Sequence, residues 1–167
     1  AVGGKTGVNF LGAKNFIGSF YQPRAVIIDI DTLHTLPARE FNAGLAEIIK
    51  AALIKDAAFF AWLELHHQQL LARDNAALLH ALSRAVAIKV DIVMADETEQ
   101  GIRAWLNLGH TFAHALEAET QHIRFLHGEA VAIGLVLAAK LGQQLLGLAP
   151  SVTERIIALL KACHLPT

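Results

Sequence analysis

Two histidines, His110 and His114, stand four residues apart in the segment RAWLNLGHTFAHALEAET, residues 103–120. A helix repeats about every 3.6 residues, so side chains at positions i and i+4 lie on one face. A third histidine, His127, opens the next predicted helix in FLHGEAV. Imidazoles from two neighbouring helices can converge on a divalent metal such as zinc. Other scattered histidines are interpreted as ordinary core or surface residues: His66, His67, His80, His122 and His164.

A catalytic zinc site takes three protein ligands and keeps one position open, and a carboxylate commonly completes the set. Glu47 lies among apolar neighbours in AGLAEIIKAAL, where burying a carboxylate is costly unless it is paired or binds a cation. A helical ion pair with Lys50 explains Glu47 equally well. Spacing alone does not choose the ligand set, because other acids are available: Asp91, Glu97, Glu117 and Glu129.

Basic residues gather around the same group in the predicted order of helices. Lys50, Lys89 and Arg103 lie near it, and Lys5 and Lys14 frame the glycine-rich opening AVGGKTGVNF. Cations beside a metal suit an anionic substrate that carries carboxylate or phosphate. The alternative is ordinary solvated charge on helix faces. The run GGKTG lacks the spacing and the preceding strand of a phosphate-binding P-loop.

Composition narrows the class of protein. A chain of 167 residues can bury a sizeable core as one compact domain, and 54% of it is hydrophobic. The net charge is -1 and no basic run occurs, so nucleic acids and acidic membrane surfaces are not expected partners. The apolar segment 130–149 contains Lys140 and two glutamines, which favours a core helix over a membrane span. A single cysteine and no evident signal peptide favour the cytoplasm.

The elements that must position these residues are mostly helices. Residues 1–20 predict a loop or short hairpin, and RAVIIDID at 24–31 predicts a strand. Helical spacing then continues to the end of the chain, which gives a mainly α, multi-helix bundle with one β-strand. The predicted helix boundaries are a start at Thr35 and Pro37, caps at Asp56 and Asp74, an end at Gly101, and a final capping box of Ser151 and Glu154.

Several segments resemble the 3-dehydroquinate synthase family in order and spacing: GGKTGVN, KN at 14–15, LPAREFNAGLAEIIK, NLGHTFAHALE and LHGEAVAIGL. The resemblance covers essentially the whole chain. It implies a cytoplasmic, homodimeric enzyme in which an N-terminal Rossmann-like domain binds NAD and a helical C-terminal domain holds zinc, with cobalt as a possible substitute. Residues 1–36 would then be a loop and strand segment that contacts a missing NAD domain. Residues 37–167 would be a C-terminally truncated helical domain, inactive as an isolated fragment.

The resemblance also implies a role for individual residues. The zinc ligands would be Glu47, His110 and His127. Lys5 and Lys14 would lie in the nucleotide and substrate-phosphate region, and NAD would be contacted by Thr32, Leu33, His34 and Thr35. The substrate would be surrounded by Asn15, Lys50, Lys89, Arg103, Asn107 and His114. The implied substrate is an anionic sugar phosphate, 3-deoxy-D-arabino-heptulosonate 7-phosphate, which the family converts into 3-dehydroquinate and phosphate in the shikimate pathway, leading to chorismate and the aromatic amino acids.

Two other functions are compatible with the pattern. One is a related sugar-phosphate cyclase such as 2-deoxy-scyllo-inosose synthase, although Asn107 before Leu108 and Gly109 favours the dehydroquinate branch. The other is a non-catalytic helical module for association, which has no need for the metal and cation set. The chain departs from the family pattern at FLGAKN, residues 10–15, and at Ala51, Ala52 and Ala113.

Overall fold

The computed structural model describes residues 2–11, 13–121 and 123–167, and the side chains of Asn9, Ala13, Lys14 and Asn15 also lie outside the described part. The fold is mainly helical, as predicted. Its elements are β1 (Lys5–Phe10), β2 (Ala13–Phe20), a first 3₁₀ turn (Ile30–Thr35), α1 (Ala38–Lys55), α2 (Ala57–Leu71), α3 (Asn75–Ala95), a second 3₁₀ turn (Ile102–Asn107), α4 (His110–Glu119), α5 (His127–Leu146) and α6 (Pro150–Ala162).

The glycine-rich opening forms an antiparallel hairpin, which confirms one of the two predicted alternatives. Lys5 lies opposite Phe20 and Val8 lies opposite Ile17, with an irregularity in the register between Val8 and Phe10. The hydroxyl of Thr6 donates to the Ser19 carbonyl at 2.9 Å. The hairpin's apolar side chains are largely exposed, and Val8 keeps 66% of its surface accessible.

The predicted strand at 24–31 is wrong. Residues 25–29 are irregular and lead into the first 3₁₀ turn, because no strand lies beside them in the described part of the chain. Their apolar side chains face solvent, and Ile27 is 92% exposed. The turn itself is capped by Asp29, whose carboxylate accepts from the Asp31 N–H at 3.0 Å. Arg73 then ties the turn to the bundle by donating to the Leu33 carbonyl at 2.8 Å.

Local capping rules set some helix boundaries and fail at others. Asp56 and Asp74 cap α2 and α3 as predicted, each accepting a backbone N–H at 2.9 Å. However, α3 ends at Ala95 instead of Gly101. The reason is Asp96, whose carboxylate accepts the backbone N–H groups of the following loop and stabilises a turn there.

The predicted cap at Ser151 is also wrong. Helix α6 begins at Pro150, and Ala149 occupies the N-cap position without a side-chain hydrogen bond. Proline suits the first helical position because its fixed φ is already helical and its missing N–H would have no intrahelical partner there. Ser151 therefore lies inside the first turn.

Helix α1 is central to the bundle. It packs against α2, α3 and α5, while α4 lies along α5, and α6 packs on α2 and α5. The core is made of aliphatic and aromatic side chains from these helices, among them Ile49, Leu63, Leu78, Leu135 and Leu160, each no more than 2% exposed. Burial of this apolar surface supplies the main driving force that holds the helix ends, and the polar groups they carry, in place.

Helix α5 is long and apolar enough to cross a membrane by length and composition alone. Its buried residues, including Val131 and Leu135, belong to the same core as those of α1 and α4. We therefore interpret it as a core helix, in agreement with the expectation from Lys140 and the glutamines.

Candidate active site

Three helices bring Glu47, His110 and His127 together. Glu47 lies in the middle of α1, whereas His110 and His127 are the first residues of α4 and α5. Glu47 Oε1 lies 3.8 Å from His110 Nε2 and 3.9 Å from His127 Nε2. One potential ligand atom from each residue falls within 4.8 Å of the other two. The two nitrogens and the oxygen therefore face a common point.

Two close backbone contacts fix the helix ends that carry this triad. A Cβ on Gly128 would lie 1.9 Å from the Ala43 carbonyl oxygen, so α5 touches α1 one turn before Glu47. A Cβ on Gly134 would lie 2.1 Å from the Gly109 carbonyl oxygen, so the start of α4 touches α5. Only glycine permits such approaches, and each contact lies beside one of the histidines.

The imidazoles are oriented by partners of their Nδ1 atoms. His110 Nδ1 lies 3.3 Å from the Leu108 carbonyl oxygen, and His127 Nδ1 lies 3.0 Å from Glu117 Oε1. A carbonyl oxygen or an ionised carboxylate can only accept, so each Nδ1 must carry the proton. In a neutral imidazole with this proton, Nε2 keeps its lone pair, on the side that faces Glu47. This is the tautomer in which a histidine binds a metal through Nε2.

Electrostatics favour the same protonation states. Burial, together with the charge of Lys50, lowers the pKa of His110 and keeps its imidazole neutral. Burial alone opposes ionisation of Glu47, but the charge and hydrogen bond of Lys50, with smaller contributions from His110 and His127, lower its pKa below the ordinary value. Glu47 is therefore a carboxylate and His110 a neutral imidazole.

This donor set fits a zinc ion. With bonds of about 2.0–2.1 Å, ligand atoms around tetrahedral zinc lie about 3.3 Å apart. The observed separations of 3.8 and 3.9 Å are a few tenths of an ångström longer, which small side-chain rotations can close. The residues present are therefore compatible with the metal, and Glu47 and His110 also line a cavity.

The ion pair between Glu47 and Lys50 is present, and it leaves room for the predicted metal-ligand role. Lys50 Nζ lies 2.8 Å from Glu47 Oε2, and the Lys50 side chain is only 7% exposed. One carboxylate oxygen therefore pairs with a buried ammonium while the other faces the histidines. Because a buried ammonium needs a partner, Lys50 is held at this position by the same carboxylate.

A cavity of about 480 Å³ opens beside the triad. Its polar wall carries four of the six residues predicted around the substrate, Lys50, Lys89, Arg103 and Asn107. Lys5, Glu47, Glu99 and His110 lie in the same wall. Its other wall is apolar and includes Leu33, Phe41 and Leu82. Burial lowers the pKa of Lys89, Glu47 raises it, and the nearby charges of Lys50, Arg103 and Lys5 lower it further. This excess of positive charge favours an anionic occupant.

Arg103 is the most buried charged residue in this wall, at 2% exposure. Its guanidinium donates to the Gly3 carbonyl at 2.5 Å and to the Glu97 carbonyl. It also lies over the ring of Phe20, 5.3 Å from the centroid. Arg103 therefore ties the hairpin to the helical bundle as well as lining the cavity.

Glu99 also belongs to the cavity wall, a role that the sequence pattern did not predict. Its carboxylate forms an ion pair with Lys5 and accepts from Asn107 Nδ2 at 2.9 Å. The hydrogen bond from Lys5, with that from Asn107, lowers the pKa of Glu99 despite partial burial. Its position in the polar loop between Lys89 and Arg103 was the only signal in the sequence.

His114 lies next to the triad and outside it. Its ring centroid is 5.5 Å from that of His110 and 6.3 Å from that of His127, and the side chain is exposed. Of the two histidines four residues apart, His110 therefore faces Glu47, whereas His114 faces solvent next to the triad.

The residues predicted to contact the nucleotide lie in the first 3₁₀ turn and the hairpin. Leu33 lines the cavity, while Thr32, His34 and Thr35 are exposed on the turn. His34 Nε2 lies 2.7 Å from Asn75 Oδ1. The side chains of Lys14 and Asn15 fall outside the described part, as do Gly12 in the FLGAKN departure and His122. Their roles remain predictions.

The alanine departures lie in the core. Ala51, Ala52 and Ala113 are 8%, 1% and 0% exposed. Ala113 sits in the first turn of α4, where its N–H donates to the Gly109 carbonyl at 3.0 Å. Its methyl group is therefore accommodated within the packing that positions His110.

A helical domain that sets a carboxylate and two imidazoles beside a cationic cavity has the donor set for a divalent cation next to an anionic ligand. Two family models match the chain: 3-dehydroquinate synthase N-terminal over residues 1–43 and 3-dehydroquinate synthase C-terminal over residues 44–167. The chain belongs to the 3-dehydroquinate synthase family, which confirms the resemblance.

The curated relatives support the same family assignment. The chain is 56% identical over 167 residues to a 3-dehydroquinate synthase of Neisseria meningitidis serogroup C (strain 053442), and 56% identical over 166 residues to that of Pseudoalteromonas atlantica. These alignments include 100% and 99% of this chain but 46% and 47% of the relatives. The chain thus spans about half the length of the curated relatives it matches.

Solved structures share the fold. The 2-epi-5-epi-valiolone synthase ValA from Streptomyces hygroscopicus subsp. jinggangensis 5008, with NAD+ and Zn2+ bound, superposes with a TM-score of 0.90 at 35% identity over 99% of this chain and 46% of that one. A 2-deoxy-scyllo-inosose synthase complexed with carbaglucose-6-phosphate, NAD+ and Co2+ gives 0.85 at 28% identity, over 96% and 43%.

Proposed function

We propose that the protein supplies the metal- and substrate-binding half of a 3-dehydroquinate synthase. The reaction converts 3-deoxy-D-arabino-heptulosonate 7-phosphate into 3-dehydroquinate and phosphate. The observation that carries the proposal is the triad of Glu47, His110 and His127 on the wall of a cationic cavity, in a chain 56% identical to 3-dehydroquinate synthases. A metal ligand set beside an excess of buried cations suits a substrate with both hydroxyl and anionic groups.

A zinc ion, or cobalt in its place, would be held by Glu47 Oε1 and the Nε2 atoms of His110 and His127. ValA contains Zn2+ and the inosose synthase contains Co2+, which supports either ion. When bound, the metal would supply a Lewis acid that polarises a substrate hydroxyl, and NAD would supply a reversible hydride acceptor. Lys50 keeps Glu47 ionised, and the two Nδ1 partners keep both imidazoles ready to bind.

The cationic wall would orient the substrate. Lys89 and Arg103 would hold its carboxylate, and Lys5, Asn15, Asn107 and His114 its phosphate. Arg103 has part of its guanidinium committed to backbone carbonyls, so its plane is fixed before the substrate binds. The lowered pKa of Lys89 makes its ammonium a readier proton donor than a solvent-exposed lysine.

The first part of the chain would contact an NAD-binding domain. In this proposal residues 1–36 form the interdomain segment and residues 37–167 the helical domain. The N-terminal family model matches residues 1–43, and the exposed apolar side chains of the hairpin and of Val26, Ile27 and Ile28 offer a surface for such a contact. Nucleotide contacts would come from Lys5, Lys14 and the turn Thr32–Thr35.

Activity is tested with zinc, NAD and the heptulosonate phosphate, by following phosphate release. We expect no turnover from the chain alone, and turnover when it is joined to the NAD-binding half of a close relative. Phosphate release that is absent from the joined protein, despite bound zinc and NAD, would contradict the proposal. A cytoplasmic homodimer is proposed for the complete enzyme, and light scattering of the joined protein tests the oligomeric state.

A second candidate is another sugar-phosphate cyclase, and the similarity to the inosose synthase favours it. Running the same assay with glucose 6-phosphate separates the two functions. We expect the heptulosonate phosphate to be preferred, because identity to the 3-dehydroquinate synthases is 56% whereas identity to the inosose synthase is 28%.

A further inference from the structure

Glu117 is a buried acid that none of the predicted roles uses. It lies on α4, and its side chain is only 4% exposed. Its Oε1 lies 3.0 Å from His127 Nδ1, on the opposite side of the ring from Glu47. A carboxyl group is costly to bury unless it is hydrogen-bonded, and the His127 ring is a partner that its Oε1 contacts.

The two ligand histidines differ in how they are held. His110 is 14% exposed and has a neutral carbonyl, that of Leu108, beside its Nδ1. His127 is 41% exposed, begins its helix, and has solvent on one side. Packing alone does not restrict the His127 ring as it restricts that of His110, so a strong partner is needed to set its rotamer and tautomer.

We propose that Glu117 is the positioning residue of the metal site: its carboxylate holds the Nδ1–H of His127 and directs Nε2 toward Glu47. The charge also matters. A divalent cation held by Glu47 and two neutral imidazoles carries one uncompensated positive charge, and Glu117 behind His127 offsets it. Carboxylates in this position usually contribute about 10- to 100-fold to metal affinity. The inference rests on the proposed metal site and adds a residue to it.

The experiment compares zinc affinity, by competition with a chromophoric chelator, in the unaltered protein and in Glu117→Gln. The glutamine keeps the shape and removes the charge. Glu129→Gln is the matched control, since Glu129 stands at the start of α5 but bonds to Arg39 and the Leu126 N–H. We expect zinc to bind about 10- to 100-fold more weakly to Glu117→Gln and within about threefold of normal to Glu129→Gln. Equal affinity in all three proteins, or equal weakening in both variants, would overturn the proposal.

A second measurement needs no metal, and its first result comes from the unaltered protein. The long-range proton–nitrogen NMR spectrum of the imidazoles reports which nitrogen of His127 carries the proton. We expect Nδ1–H in the unaltered protein, with Nε2–H gaining population in Glu117→Gln. Failure of the unaltered protein to bind zinc would refute the proposed metal site, whereas an Nε2–H tautomer of His127 in that protein would refute the role of Glu117.

Discussion

The contact between Gly128 and the Ala43 carbonyl is the point at which packing most directly controls the proposed metal site. In Gly128→Ala the new methyl group would lie 1.9 Å from that oxygen, where real Cβ atoms essentially never come closer than 3.0 Å. The start of α5 must therefore move from α1 by about 1 Å. Overpacking of this kind costs about 1–3 kcal/mol of unfolding free energy. The same movement separates His127 from Glu47, and a site misplaced beyond about 0.5 Å loses its ligand geometry.

We expect Gly128→Ala to lower the midpoint of urea unfolding and to bind zinc at least about tenfold more weakly. Gly44→Ala is the matched control, because it makes the same substitution in α1 with no atom within 4 Å of the new Cβ. In a helix interior that change is stabilising by about 0.5–1 kcal/mol. Normal stability together with normal zinc affinity in Gly128→Ala would refute the argument that this contact positions the site.

Two further substitutions test other parts of the account. Asp56→Ala removes the α2 cap and the partner of Arg84, and should cost about 1–2 kcal/mol near pH 7. The Phe59 N–H, with Arg84, lowers the pKa of Asp56, so this stabilisation is complete above the unfolded pKa of about 3.8 and is lost as pH falls through the lower folded pKa. Denaturant titrations should show the gap to the unaltered protein narrowing as the pH falls below about 3.8, and a constant gap would contradict this. Arg103→Lys should speed amide hydrogen exchange in the hairpin, because lysine cannot reach both backbone carbonyls to which the guanidinium donates. The lost hydrogen bonding should cost about 1–3 kcal/mol of stability. Unchanged exchange would show that the hairpin does not depend on Arg103.

The sequence predicted those parts of the fold that local chemistry decides. Asp56 and Asp74 cap helices because a carboxylate one residue before a helix finds free N–H groups within reach. Local rules failed where two signals competed. Ser151 is not the cap because Pro150 occupies the first helical position and leaves Ala149 as the N-cap. Asp96 ends α3 before Gly101 by accepting loop N–H groups. The strand expected at 24–31 failed for another reason: strand geometry depends on a partner strand, which single-sequence patterns do not supply.

The residues of the candidate site were likewise predictable from the sequence only in part. Spacing alone indicated that His110 and His114 share a face and that His127 opens the next helix, but the choice of Glu47 over the other acids came from the family resemblance. Glu99 and Glu117 were not selected because their roles depend on contacts between elements, with Lys5 across the loop and with His127 on α5. Glu117 follows His110 by seven residues on α4, so two helical turns could have placed it on the same face.

The central claim is that His110 binds a metal ion with Glu47 and His127, while the neighbouring His114 does not. The most direct measurement is the zinc content, after equilibrium dialysis, of the unaltered protein, His110→Ala and His114→Ala. The account predicts one zinc ion per chain in the unaltered protein, retention in His114→Ala, and loss in His110→Ala. Equal zinc content in the two variants, whether full or absent, would contradict it.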